Sequence, residues 1–128
     1  RRLMSANSMV RFCQAGHPSP VVIRATGEIE FVGQGGAPIG LIPDMAYDTE
    51  VVHIEAGDRL MLYSDGITEC ENPEGAMLDN EGLADLISRN WDMREHEVLD
   101  QIVAGMAAFT GNPHFEDDVS ALLLTMPT

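Results

Sequence analysis

The feature that most constrains this chain is the run Leu60-Met61-Leu62-Tyr63, set between Gly57-Asp58-Arg59 and Ser64-Asp65-Gly66. Consecutive apolar residues put apolar side chains on both sides of a pleat, the pattern of a strand buried on two faces. Gly57 and Gly66 mark its ends. Asp65 is therefore expected at the C-terminal lip of that strand, with Gly66 letting the chain turn sharply away behind it. A carboxylate fixed in this way is well placed to hold a cation. Taken alone, Asp65-Gly66 also reads as a common turn pair.

The segments on either side supply further strands and two helices. Met9–Ala15 alternates as a strand and is broken by Gly16-His17-Pro18-Ser19-Pro20. Val21–Arg24 and Ile29–Val32, joined through Thr26-Gly27, read as a hairpin. Gly33–Pro43 is too interrupted by Gly and Pro for regular structure, and reads as a loop passing close over other backbone. It is not a phosphate loop: its glycines miss the GxGxxG register and no Gly-Lys-Ser/Thr follows. Thr49–Ile54 is the next strand. Beyond a polar, turn-rich stretch over residues 70–78, a first helix is expected with Asp79 or Asn80 as cap and Leu83, Leu86 and Ile87 on one face. A second is expected from the capping-box spacing of Asp92 and Glu95. Its apolar stripe comprises Val98, Leu99, Ile102, Val103, Met106 and Phe109, and Gly111 and Pro113 end it. The methionines here read as core filler. Val119–Met126 is the final strand, with Asp117-Asp118 directly before it.

Composition narrows the function classes. The 128 residues suit one domain or a piece of one, and 45% hydrophobic content is enough for a core. The formal charge of −14, from 21 acidic and 7 basic residues, disfavours nucleic acid and anionic lipid as partners. It suits divalent cations, or serves solubility. The 2 cysteines, Cys13 and Cys70, lie far apart with no zinc-type spacing, so neither zinc nor a disulfide framework is indicated; reduced, cytoplasmic thiols are the expectation. No run approaches the ~18 apolar residues of a membrane span, and Arg1–Ser5 lacks the apolar core of a secretory signal. The chain does not begin with Met and looks cut from something longer.

Asp65 ends one buried strand, and Asp117-Asp118 begins another. If the two pair antiparallel, the end of the first lies beside the start of the second, and the carboxylates gather on one rim. Carboxylates so close repel one another by roughly several kcal/mol, at an effective dielectric near 20, unless they share a cation. Oxygen-only ligands favour Mg²⁺ or Mn²⁺. Asp117-Asp118 alone also reads as an acidic loop. No Ser/His/Asp or Cys/His arrangement has convincing local context.

Four motifs then stand in order: Ala15-Gly16-His17-Pro18-x-Pro20; Gly36-x-Pro38-Ile39-Gly40; Gly57-Asp58-x-Leu60-x-Leu62-Tyr63-Ser64-Asp65-Gly66-x-Thr68-Glu69; and Asp117-Asp118-Val119-Ser120 before an apolar strand. Together they resemble the metal-dependent (type 2C, PPM) protein serine/threonine phosphatases, within them the bacterial sporulation and stress-response (SpoIIE-like) branch. The resemblance spans nearly the whole chain but not the whole family domain. The early Asp and the Gly-Asp-Val-x-Gly-His-Gly type segment of the family's first half do not occur here.

The resemblance therefore implies that residues 1–128 are the C-terminal part of a single such domain, incomplete at its N-terminus and holding only part of the metal site. The implied fold is α+β, two antiparallel sheets packed as a sandwich and flanked by helices. Asp65 and Asp117 match the family's metal-binding aspartates, Asp118 a supporting position; no catalytic side chain is assigned within the chain. His17 lies near a position where some relatives carry an Asp touching a further metal, and reads as a structural turn histidine. His53, His96 and His114 read as lone histidines, and Glu69 as orienting the loop after Asp65 or merely solvated. The implied reaction is hydrolysis of phosphoserine or phosphothreonine by a water activated between two Mg²⁺ or Mn²⁺ ions, without a phosphoenzyme. The implied setting is a cytoplasmic bacterial signalling or response-regulator protein of two-component type, with a receiver or sensor module upstream. Its implied partner is a phosphorylated regulator of sigma-factor activity, an anti-sigma-factor antagonist; a homodimer is compatible with the resemblance. The alternative is an inactive pseudophosphatase that binds a sigma-factor or anti-sigma partner.

Overall fold

The computed structural model describes residues 8–44 and 46–128, so the opening Arg1–Ser5 stretch lies outside the described residues. Six strands and three helices follow one another as β1 (Ser8–Phe12), β2 (Val21–Ile23), β3 (Ile29–Phe31), β4 (Glu50–Ile54), β5 (Arg59–Tyr63), α1 (Asp65–Thr68), α2 (Asp79–Asn90), α3 (Glu95–Thr110) and β6 (Ala121–Thr125). They form the expected α+β architecture of two antiparallel sheets with helices outside. One sheet has four strands in the order β3-β2-β5-β6; the other pairs β1 with β4.

The double-sided burial of β5 organises this arrangement. Met61 and Tyr63 face the helices, together with Val21, Ile23 and Leu123 of the neighbouring strands, and meet Leu83, Ile87, Val98, Ile102 and Met106. Leu60, on the alternate face, joins Val22 and Ile54, with Val10 and Val52 of the smaller sheet packed against them. The four-stranded sheet is thus the middle layer, and β5 lies inside it. Register aligns the apolar rows: Val21 pairs with Met61, and Met61 with Leu123.

The irregular segment after β3 does pass close over backbone. Gly16 donates its N–H to the Gly36 carbonyl at 2.7 Å, and a side chain at Gly36 would run into the carbonyl of Gln14. The buried Gln14 side chain also ties the two stretches, accepting from the Gly35 N–H at 2.8 Å and donating to the His17 carbonyl at 2.6 Å.

Several local expectations are corrected. Strand β1 ends at Phe12 rather than Ala15. Neither Asp79 nor Asn80 caps α2 with its side chain; Leu78 occupies the cap position. Helix α3 starts two residues after the Asp92–Glu95 spacing would place it. Arg94 is its extended cap residue, and Glu97 accepts from the Arg94 backbone N–H at 3.2 Å and from its guanidinium at 2.9 Å. Gly111 ends that helix as expected, in the left-handed conformation at φ 74°, donating to the Ala107 carbonyl. Within the stripe, Val98, Ile102 and Met106 are buried, whereas Val103 is 45% exposed; of the methionines read as core filler, Met106 is buried but Met77 and Met93 are exposed.

Candidate metal centre

The centre is built where β5 hands over to α1. Asp65 does not sit on a sharp turn; it is the first residue of a short helix. Gly66 lies within that helix, and its need for a small side chain is one of space: a Cβ there would collide with the carbonyl of Asp118. Close contact between α1 and the segment leading into β6 is therefore possible only because residue 66 is glycine.

Strands β5 and β6 pair antiparallel, Tyr63 opposite Ala121 and Leu62 opposite Leu122. Ser64 extends this pairing beyond the strand ends. Its N–H donates to the Ser120 carbonyl at 2.9 Å, its hydroxyl donates to the Asp118 carbonyl at 3.1 Å, and the same oxygen accepts from the Ser120 N–H at 2.9 Å. The 117–120 segment is thereby stitched to the mouth of α1, which brings Asp117 beside Asp65.

Oxygens of Asp65, Glu69 and Asp117 lie within 4.8 Å of one another, all three side chains being exposed. Glu69 joins because it lies one helical turn beyond Asp65, its N–H donating to the Asp65 carbonyl at 2.8 Å. Glu69, read from the sequence as loop-orienting or solvated, is exposed and stands in the same group; the signal for that placement is its i,i+4 spacing from Asp65. Asp118 does not contribute its carboxylate to this group. Its backbone carbonyl serves the Ser64 contact, and its N–H donates to Asp117 Oδ1 at 2.8 Å.

Chemically, the group offers three hard carboxylates and no thiolate or imidazole, a donor set fitted to Mg²⁺ or Mn²⁺. Among the described residues, the ion pairs join Arg24, Arg89 and Arg94 to other carboxylates, so no guanidinium neutralises this cluster. His17 stands apart from it, its Nδ1 3.1 Å from the Pro18 carbonyl oxygen, consistent with a turn residue. Cys13 and Cys70 are free thiols, and burial pushes the Cys70 thiol up. Beside the cluster opens a cavity of about 400 Å³, between the turn after α1 and the α3–β6 connection, with Glu69 and Asp117 in its wall.

A further carboxylate, Asp58, given in the sequence only as part of the Gly57-Asp58 motif and with no role, is buried away from the cluster. Asp58 accepts from the Ala25 N–H at 2.8 Å, the Glu55 N–H at 2.9 Å and the Arg24 guanidinium at 3.0 Å. Burial acts to raise its pKa, but these hydrogen bonds outweigh it and hold the carboxyl below the usual range. It locks the β2–β3 and β4–β5 turns together below β5.

Residues 3–127 match the family model for stage II sporulation protein E (SpoIIE). The chain is 22% identical over 113 residues to Protein IcfG of Synechocystis sp., covering 88% of this chain and 18% of that protein. It is 33% identical over 67 residues to the phosphoserine phosphatase RsbU of Bacillus subtilis, covering 52% of this chain and 20% of that one. It thus spans about a fifth of the length of these curated relatives. The SiaA-PP2C domain of Pseudomonas aeruginosa superposes with a TM-score of 0.79 at 20% identity, over 92% of this chain and 46% of that one. The PP2C phosphatase domain of SpoIIE from Bacillus subtilis, with a fragment of its regulatory domain, gives 0.76 at 20% identity, over 94% and 34%. At that identity the two structures speak to fold. Among the described residues, no helix is long and apolar enough to cross a membrane.

Proposed function

This chain belongs to the SpoIIE family, and from that premise we propose that it is the C-terminal part of a metal-dependent protein serine/threonine phosphatase domain. Asp65 and Asp117 are its metal ligands, with Glu69 as a third. The single observation that carries this reading is the convergence of these three carboxylates at the shared end of β5 and β6. Mg²⁺ or Mn²⁺ held there supplies water activation and neutralises charge on the phosphate oxygens.

The chain's own residues prepare the site. Ser64 clamps the 117–120 segment, and Gly66 admits the Asp118 carbonyl against α1. Asp117 Oδ1 accepts the Asp118 backbone N–H, which orients the carboxylate before a cation arrives. The remaining ligands belong to the part of the family domain that this chain lacks. Its substrate is a phosphoserine- or phosphothreonine-bearing protein of a cytoplasmic bacterial signalling system, in which a regulator of sigma-factor activity is the favoured class; the relative RsbU is itself named a phosphoserine phosphatase.

The test is made in the intact parent protein. Asp65→Asn abolishes Mn²⁺-dependent dephosphorylation, and Glu69→Gln raises the Mn²⁺ concentration needed for half-maximal rate. Full activity of Asp65→Asn ends the assignment. A wild-type protein that binds a partner but neither takes up Mn²⁺ nor turns over phosphoserine would instead be a pseudophosphatase, against which the gathered Asp65, Glu69 and Asp117 argue.

A further inference from the structure

We propose that the cavity beside the carboxylate cluster is a recognition pocket for a basic residue, arginine in preference to lysine, flanking the phosphorylated residue of the substrate. The proposal rests on the phosphatase reading above and adds a sequence preference to it. The cavity, about 400 Å³, falls within the size range of small-ligand sites. Glu69 and Asp117 belong both to it and to the metal cluster. A peptide whose phosphate lies at the cluster therefore passes a neighbouring side chain over the cavity mouth.

The walls specify which side chain fits. Glu71 comes from the turn after α1 and Glu116 from the α3–β6 connection, so two further carboxylates face the space from different segments. Among the described residues, no Lys or Arg lines it; His114 is the basic member. Pro73 and Phe115 supply apolar surface, Phe115 also packing against the main core. Apolar walls with carboxylates suit a side chain with an alkyl stem and a cationic head. A planar guanidinium satisfies carboxylates from two directions better than an ammonium does. An acidic flank meets like charge and is rejected.

The experiment uses the intact, Mn²⁺-loaded protein and phosphoserine peptides that differ only in carrying Arg, Lys or Glu at positions neighbouring the phosphoserine. At low ionic strength the best Arg peptide is expected to exceed its Glu counterpart by about 10-fold in kcat/KM, with Lys between them, and the gap narrows as salt is added. In the double variant Glu71→Lys/Glu116→Lys the Arg-to-Glu ratio inverts, and in Glu71→Gln/Glu116→Gln it falls towards one. Because the readout is a ratio within each variant, loss of overall activity does not imitate it. Equal rates for Arg and Glu peptides, or a ratio unmoved by both double variants, overturn the pocket and leave the phosphatase reading standing. No Mn²⁺-dependent turnover of any peptide or of p-nitrophenyl phosphate by the wild type overturns both.

Discussion

Replacing Asp58 tests whether the rim of the middle sheet is held by charge as well as by apolar packing. The residue is 2% exposed and accepts three hydrogen bonds, two from backbone N–H groups and one from Arg24. Asp58→Ala strands both N–H donors and unpairs one side of a guanidinium that keeps Glu30 at 3.0 Å. An unsatisfied buried donor costs about 1–3 kcal/mol, and breaking a buried ion pair costs about 3–5 kcal/mol. The contributions overlap, so the expected loss is about 3–5 kcal/mol, measured at pH 7 by urea unfolding of the intact protein. Asp58→Asn should recover little. With its oxygen towards the Ala25 N–H, its amide hydrogens face the Glu55 N–H and Arg24, donor against donor. The sign of the pH dependence is also fixed. The folded-state pKa is depressed, so the stabilisation is fully present above the unfolded carboxyl value of about 3.9 and is lost as pH falls through the folded value. The difference between wild type and Asp58→Ala therefore stays level from neutral pH down to the mildly acidic range and shrinks in strong acid. A loss below about 1 kcal/mol at pH 7, or full rescue by Asn, would refute this account.

Two further substitutions examine the layers around the site. Ile102→Ala, at a residue 1% exposed in the α3 stripe, should cost about 2–5 kcal/mol, whereas Val103→Ala, one position round the helix, should stay within about 0.5 kcal/mol; equal losses in thermal or urea unfolding would contradict the observed helix rotation. Gly66→Ala gains about 1 kcal/mol of helix propensity yet pushes a methyl into the Asp118 carbonyl. The net expectation is a loss of about 1–3 kcal/mol together with weaker Mn²⁺ binding by isothermal titration, and a variant with unaltered stability and affinity would show the close approach to be dispensable.

How much of this was legible in the sequence depended on whether the signal was local. The double-sided burial of β5 was written in Leu60–Tyr63, and the core face of α3 in the spacing of Val98, Ile102 and Met106, because both follow from a fixed backbone period. Val103 was misassigned because it sits about 100° round the helix from Ile102, at the margin of a stripe whose width the period alone does not set. The start of α3 was misplaced because the capping-box pattern seeks a small polar cap, whereas the bond that forms runs from the Arg94 backbone N–H to the Glu97 carboxylate. Asp65 and Asp117 were identified as a pair only on the condition that β5 and β6 are neighbours, a long-range fact no local pattern contains. The placement of Glu69 beside Asp65 was hidden for a simpler reason. Gly66 was read as a turn, and a turn hides the i,i+4 relation that helix α1 creates.

Solvation explains why the cluster lies where it does. A carboxylate trio in the core would face a large desolvation cost, so only a solvated rim can carry it without a resident cation. The rim must nevertheless be rigid, because ligands that drift apart lose their hold on a shared ion. The protein meets both demands by anchoring backbone rather than carboxylates. The buried pairing of β5 with β6 sets the register, Ser64 carries it past the strand ends with three hydrogen bonds, and the absence of a side chain at Gly66 closes the remaining distance. The acidic side chains stay in water and project from a frame that is already fixed. For a chain with a net charge of −14, a phosphate ester would approach such a frame against repulsion. Under the phosphatase reading, then, Asp65, Glu69 and Asp117 would hold cations that would supply attraction for the substrate as well as water activation. Raising ionic strength should accordingly slow phosphoserine-peptide capture less in the Mn²⁺-loaded protein than a pocket of fixed basic side chains would predict.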